Sequence, residues 1–116
     1  MRMSDEEYFR SCVAQERHLA QLLGMHNIEE FCEHAGALWH DGKRVPAWTR
    51  DWQACGPLVA EYGLCIHFGT DARHGDVVQV EATAIPLCDH PDRDQALRFA
   101  VVKAVIAQLE HRRRHA

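Results

Sequence analysis

The chain has 116 residues, 47% of them hydrophobic and 26% charged, and a net charge of −4 with the histidines neutral. Those are the proportions of one globular domain able to bury its own core, so 1–116 reads as a single domain. The acid excess excludes a general attraction to nucleic acid or an anionic membrane, no apolar run reaches the roughly 18 residues of a membrane span, and the start, acidic from Asp5, does not read as a signal peptide.

Ser4-Asp5-Glu6-Glu7 is a capping box, with acidic residues where a helix dipole favours them. Apolar residues at Tyr8, Phe9, Cys12, Val13, Leu19, Leu22 and Leu23 then line one helical face, and Gly24 stops it. This predicts a first helix over 5–23. Asn27 is set to cap a short second helix through Ile28, Phe31 and Cys32, with Glu29, Glu30 and Glu33 on its wet side. Asp41-Gly42 is a two-residue hairpin turn, and Leu38–His40 and residues 43–45 are its arms.

Pro46 holds Val45 in extended geometry, and Thr49 or Asp51 caps a helix that runs to Tyr62 and ends at Gly63. Pro57 either kinks that helix or begins a fresh one after Gly56. Leu58, Val59 and Tyr62 are its buried anchors in both cases. Two period-two runs follow, Leu64/Ile66/Phe68 and Val78/Val80/Ala82/Ala84, joined by the polar loop 69–75. They predict an antiparallel hairpin with one apolar face. Asp92 and Gln95 then open a last helix whose apolar face, from Leu97 to Leu109, is broader than a surface helix needs. It is expected to lie across the hairpin at the centre of the core.

Pro46-Ala-Trp-Thr-Arg-Asp-Trp52 with Gly56-Pro-Leu-Val-Ala-Glu-Tyr-Gly-Leu64 resembles the phage ABA sandwich family of short phage and prophage proteins. Ile85-Pro-Leu87 and Gln95-Ala-Leu-Arg98 resemble that family's later Pro-Leu step ahead of an Ala-rich, arginine-bearing helix. The likeness spans about residues 37–106. Trp48-Thr49 stands where Tyr-Ser is commoner, and Cys88-Asp-His-Pro91 is an insertion before the last helix. The resemblance implies helix–antiparallel sheet–helix layers and a phage origin. It implies no activity and carries over no catalytic residue.

Cysteines number five, Cys12, Cys32, Cys55, Cys65 and Cys88, an odd count that fits a reducing cytoplasm and small buried thiols better than a disulfide framework. Cys-x-His occurs at Cys32/His34, Cys65/His67 and Cys88/His90. On a strand Cys65 and His67 would share a face, and Cys88 and His90 would complete four zinc ligands. Against this, the usual Cys-x₂₋₄-Cys spacing is absent and coincidence is easy among nine histidines. A Cys–His nucleophile is disfavoured by Asp71, Asp76 and Glu81, which would raise a nearby thiol pKa. His111 and His115 flank Arg112 to Arg114, whose charge repels a cation.

Trp39, Trp48 and Trp52 lie within fourteen residues. Trp52 is expected in the core; Trp39 and Trp48 are open between core and a protein-binding surface. Together these features predict a non-enzymatic phage or prophage accessory protein in the cytoplasm of a bacterial host, with no cofactor. It would act by binding a host or phage protein, for example as a counter-defence inhibitor such as an anti-CRISPR protein whose acidic face blocks a basic nucleic-acid-binding or nuclease surface. The protein-binding candidates are Trp39, Trp48, Asp71, Asp76 and Glu81. A zinc-binding domain using Cys65, His67, Cys88 and His90, or a virion or assembly component, is the alternative.

Overall fold

A computed structural model describes residues 3–114, apart from the side chain of Cys32. The order is α1 (Asp5–Leu22), β1 (Glu29–Glu30), β2 (Leu38–His40), β3 (Lys43–Arg44), α2 (Trp52–Tyr62), β4 (Ile66–Asp71), β5 (Gly75–Val80), β6 (Thr83–Pro86) and α3 (Arg93–Arg114). Short 3-10 turns occupy Cys32–His34 and Leu87–Asp89. The described chain is therefore α+β, with three helices and two antiparallel sheets, β1-β2-β3 and β4-β5-β6. No helix among the described residues is long and apolar enough to cross a membrane.

The capping box of α1 closes in both directions: Glu7 N donates to Ser4 Oγ at 3.2 Å and Ser4 N donates to Glu7 Oε1 at 3.1 Å. At its other end Met25 N reaches Ala20 O and Gly24 N reaches Gln21 O, with Gly24 at φ +94°. That pair of bonds is a Schellman stop, and the positive φ is why glycine stands there.

The short helix expected after Asn27 does not form. Asn27 has φ +55°, Glu29 and Glu30 pair with Trp39 and Leu38, and only the 3-10 turn at Cys32–His34 coils. The reason is tertiary: the Glu30 carboxylate takes the Arg10 guanidinium at 2.7 Å and the Gly36 amide at 2.9 Å. Those two donors, the guanidinium first, hold Glu30 below the ordinary carboxylate range. The Asp41-Gly42 hairpin forms as expected, both turn residues at positive φ, in the register Trp39↔Arg44 and His40↔Lys43.

Asp51, rather than Thr49, caps α2, its side chain accepting from Gln53 N at 2.9 Å. Pro57 lies inside one continuous helix, so the chain does not restart at Gly56. Gly63 closes α2 at φ +58°, and Leu58 is buried with Val59 and Tyr62 half-buried beside it.

The second period-two run is not one strand. Val80 pairs with Thr83, and Glu81-Ala82 turns the chain between β5 and β6 with Glu81 at φ +54°. The loop expected over 69–75 shrinks to residues 72–74, since Gly69, Thr70 and Asp71 pair with Val77, Asp76 and Gly75. Leu64 and Cys65 precede the strand.

α3 is the centre. Gln95 N donates to Asp92 Oδ1 at 2.8 Å to start it, and Ala96, Phe99, Ala100, Val101, Val102, Ala104, Val105 and Ile106 are all buried. It packs against β5 and β6 and also against α1 and α2, which is why its apolar surface is so broad. Tyr8, His90 and Phe99 stack around its first turns, with ring centroids 5.0–6.3 Å apart, and Tyr8 Oη and His90 Nδ1 share a 2.6 Å hydrogen bond.

A buried polar clasp joins this core to the segment before α2. Glu16, 1% exposed on the apolar face of α1, accepts from Thr49 Oγ1 at 2.5 Å and from Arg50 Nη2 at 2.6 Å and Nε at 3.0 Å. Arg50 Nη2 also donates to Gly36 O at 2.8 Å, and Arg98 Nε of α3 donates to Thr49 O at 3.1 Å. The Thr49 and Arg50 groups that bond to Glu16 are all donors, which offsets the cost of burying it. Its hydrogen bonds to Arg50, and after them its charge, raise the Arg50 pKa.

Candidate protein-binding surface

The β4–β5 hairpin brings together two of the five candidate residues. Its turn is built by Asp71: Oδ1 accepts from Arg73 N at 2.7 Å, Oδ2 lies 3.3 Å from His74 Nδ1, and Gly75 takes φ +73°. An aspartate that bonds the backbone two residues on is a turn-former in its own right. Asp76, opposite Thr70, is the next residue along, so Asp71 and Asp76 both stand exposed at the hairpin tip. The Arg73 amide first, then the His74 ring, lowers the Asp71 pKa below its ordinary value. It stays ionised over the whole neutral range.

Glu81 is not part of that group. It occupies the β5–β6 turn at the other end of β5, five residues and thus about 16 Å from Asp76. Its carboxylate accepts from Cys65 N at 2.8 Å, tying the start of β4 to the turn. The acidic candidates therefore divide between the two ends of the sheet.

Of the tryptophans, Trp48, open between core and surface, falls in the core, and Trp52, expected in the core, does not. Trp48 is buried at 5% exposure and belongs to the core, so it is unavailable to a partner. Trp52, expected inside, is 38% exposed at the first turn of α2, with the Arg98 guanidinium 5.2 Å from its ring centre. Trp48 falls in a turn, Arg50 N and Asp51 N both donating to Ala47 O at 2.9 Å, so the chain is not extended through 48; that turn holds Trp48 inside and starts α2 with Trp52 at the surface. Trp39 is half-buried on β2, and its Nε1 is the one buried side-chain polar atom without a partner among the described residues.

The Cys-x-His pairs are held apart by the sheet register. Cys65 and His67 lie at the β5–β6 turn end, both exposed. Cys88 and His90 follow β6 at the opposite end, since Pro86 pairs with Val77. His90 is buried and engaged by Tyr8, while Cys88 is exposed. No group of three or more His, Cys, Asp or Glu placed to hold a metal occurs among the described residues. Of the thiols, Cys12 and Cys55 are buried as expected, and Cys65 and Cys88 are not. Burial pushes the Cys12 thiol up and Cys55 up to about 11, the opposite of an activated nucleophile. His115 lies outside the described residues.

A surface feature that the sequence reading did not foresee is the outer side of β4. Ile66 and Phe68 share a face with the fully buried Val80 and Val78, their register partners, yet are 37% and 41% exposed. α3 packs over β5 and β6, so the apolar face of β4 extends beyond it. The Arg93 guanidinium, 5.1 Å from the Phe68 ring centre, caps part of it. The alternation at Ile66 and Phe68 was visible in the sequence, but not that the helix above would cover only two of three strands. No protein-family model, curated protein or solved structure matches the chain.

Proposed function

We propose that this chain is a small phage or prophage accessory protein that acts in the bacterial cytoplasm by binding another protein rather than by catalysis. Its specific form is a counter-defence inhibitor, such as an anti-CRISPR protein, that occupies a basic nucleic-acid-binding or nuclease surface. The observation that carries this reading is the exposure of Asp71 and Asp76 at one hairpin tip, on its two opposite faces, with Asp71 kept ionised by its own turn. The Asp71 carboxylate, held by its own turn, loses little freedom on docking, and both acids steer encounter with a cationic surface. The net charge of −4 favours the same class of partner. The helix–antiparallel sheet–helix layering goes with the phage resemblance and is part of the same proposal, with α3 as the helix layer on one face of β4-β5-β6.

Affinity capture from host lysate, with and without nuclease, tests it. A stoichiometric basic protein should be retained in both conditions, and the double variant Asp71→Lys/Asp76→Lys should lose it by at least about tenfold, as expected for reversing charge at a complementary interface. Retention that disappears with nuclease, or that survives the charge reversal, would remove the basis of this reading.

A further inference from the structure

β4 is an edge strand: in the order β4-β5-β6 only β5 pairs with it. Its hydrogen-bonding phase follows from one bond. Glu81 N donates to Cys65 O at 3.1 Å, flanking the pair Ile66↔Val80, which makes that pair a non-hydrogen-bonded one. Alternation along the ladder then directs the N–H and C=O of His67, Gly69 and Asp71 inward to β5. Those of Ile66, Phe68 and Thr70 point outward.

We propose that this edge is completed by β4 of a second copy of the chain, antiparallel, about a twofold axis at Phe68. The outward residues are symmetric about that position. Ile66 meets Thr70 of the second copy, Phe68 meets Phe68, and Thr70 meets Ile66, so every outward N–H and C=O of the three finds a partner in six hydrogen bonds. Shifting the axis by one residue either way leaves only two of the three outward residues paired within β4 on each copy.

The side chains agree with this register. On the α3 face the two exposed Phe68 rings cover one another and each Ile66 gains a neighbour, removing the apolar surface that α3 leaves open. On the other face His67 lies opposite Gly69 of the second copy and diagonal to its Asp71; within each copy the His67 ring already leans over Gly69, 3.1 Å from where a Cβ there would stand, so the two rings meet over the axis. The diagonal places the His67 imidazole of one copy within reach of the Asp71 carboxylate of the other, a polar cross-strand pair formed twice by the symmetry. β4 also lacks two of the devices that keep an edge single. Its six residues contain no lysine and no proline, whereas the other edge, β6, has four residues and ends at Pro86. An isologous contact of this kind closes at two copies and gives a six-stranded sheet with an acidic hairpin tip on each half. The pairing does not depend on what those tips bind.

Sedimentation equilibrium over a wide concentration range decides it. The wild-type chain should move from 13.3 kDa toward twice that mass. Thr70→Pro removes an outward N–H and no intramolecular bond, so that variant should keep its circular dichroism and urea midpoint but remain monomeric. Phe68→Cys, in a background with Cys65→Ser and Cys88→Ser, should form an intermolecular disulfide under mild oxidation, because paired Cα atoms about 5.5 Å apart suit one. A wild-type chain that is monomeric at its highest soluble concentration overturns the proposal. So does a dimer that survives Thr70→Pro in a folded variant, or growth beyond two copies.

Discussion

The clasp around Glu16 and the outer edge of β4 handle the same physical problem in opposite ways. In the clasp, a carboxylate 1% exposed has two oxygens facing the Thr49 hydroxyl, the Thr49 amide and the Arg50 guanidinium, all within 3.3 Å. Polar groups that water would otherwise satisfy are satisfied internally. At β4 the outward backbone groups of three residues and the side chains of Ile66 and Phe68 are left to the surroundings. The first arrangement fixes one geometry for the segment 45–51, because removing any member strands the others. The second costs the isolated chain little and leaves a surface that another strand can use. Substitutions on the helical side should therefore be felt in stability, and substitutions on the β4 edge in association.

The largest effect is expected at the aromatic cluster of Tyr8, His90 and Phe99. Phe99 is 8% exposed and touches Tyr8 and His90, so Phe99→Ala should lower unfolding free energy by about 3–5 kcal/mol. Urea denaturation measures this directly. A loss under ~1 kcal/mol would mean that α3 is not the centre of the core.

Glu16→Ala comes next, at about 3 kcal/mol. Breaking a buried pair from one side generally costs about 3–5 kcal/mol. Here the Arg50 side chain is 29% exposed and can recover part of its hydration, which places the effect at the low end. The double variant Glu16→Ala/Arg50→Ala should be less destabilised than the sum of the singles, and additivity would show that the two do not act as a unit.

Cys55 gives a smaller effect that depends on pH. Burial raises its pKa from near 9 to about 11, with the Arg98 guanidinium opposing the shift in part. The fold disfavours the thiolate, so on raising the pH the unfolded chain loses this proton first. The stabilisation is complete below pH 9 and is lost as the pH climbs from 9 to about 11, for a total of about 2–3 kcal/mol. Cys12 and Tyr8, both pushed up by burial, add to the same alkaline slope. Cys55→Ala should flatten the fall in urea midpoint between pH 8.5 and 11 without abolishing it. An unchanged slope would place the thiol in contact with solvent.

Much of the fold was legible because local signals agreed with tertiary ones. The Ser4–Glu7 box, the Asp41-Gly42 turn, the Gly63 cap and the Asp92–Gln95 pair each act within a few residues, and each forms as read. What was missed is long-range. Glu30 leaves a helical context for Arg10 and Gly36, and the turn at Glu81-Ala82 contains no glycine to announce its positive φ. Glu16 could have been suspected, since it falls on the stripe between Cys12 and Leu19, where an unpaired charge would be costly. Its partner Arg50, 34 residues away, was not readable. Of the candidate surface residues, Asp71 and Asp76 are both exposed at one hairpin tip but on its opposite faces, Glu81 lies at the other end of β5, and Trp48 is buried.

The smallest stability effect belongs to the β4 edge, and it is the sharpest form of the comparison. Phe68→Thr keeps a residue suited to a strand and removes a ring that is 41% exposed. Surface changes of this kind usually stay within about 0.5 kcal/mol, and loss of the Arg93 contact adds at most about 0.5–1 kcal/mol. At protein concentrations low enough to keep the chain monomeric, the urea midpoint should hardly move. At high concentration, the wild type should gain stability that the variant does not, because a contact made only by the folded state stabilises it by mass action. Parallel midpoints for the two proteins at every concentration would show that the exposed ring neither supports the monomer nor joins two copies.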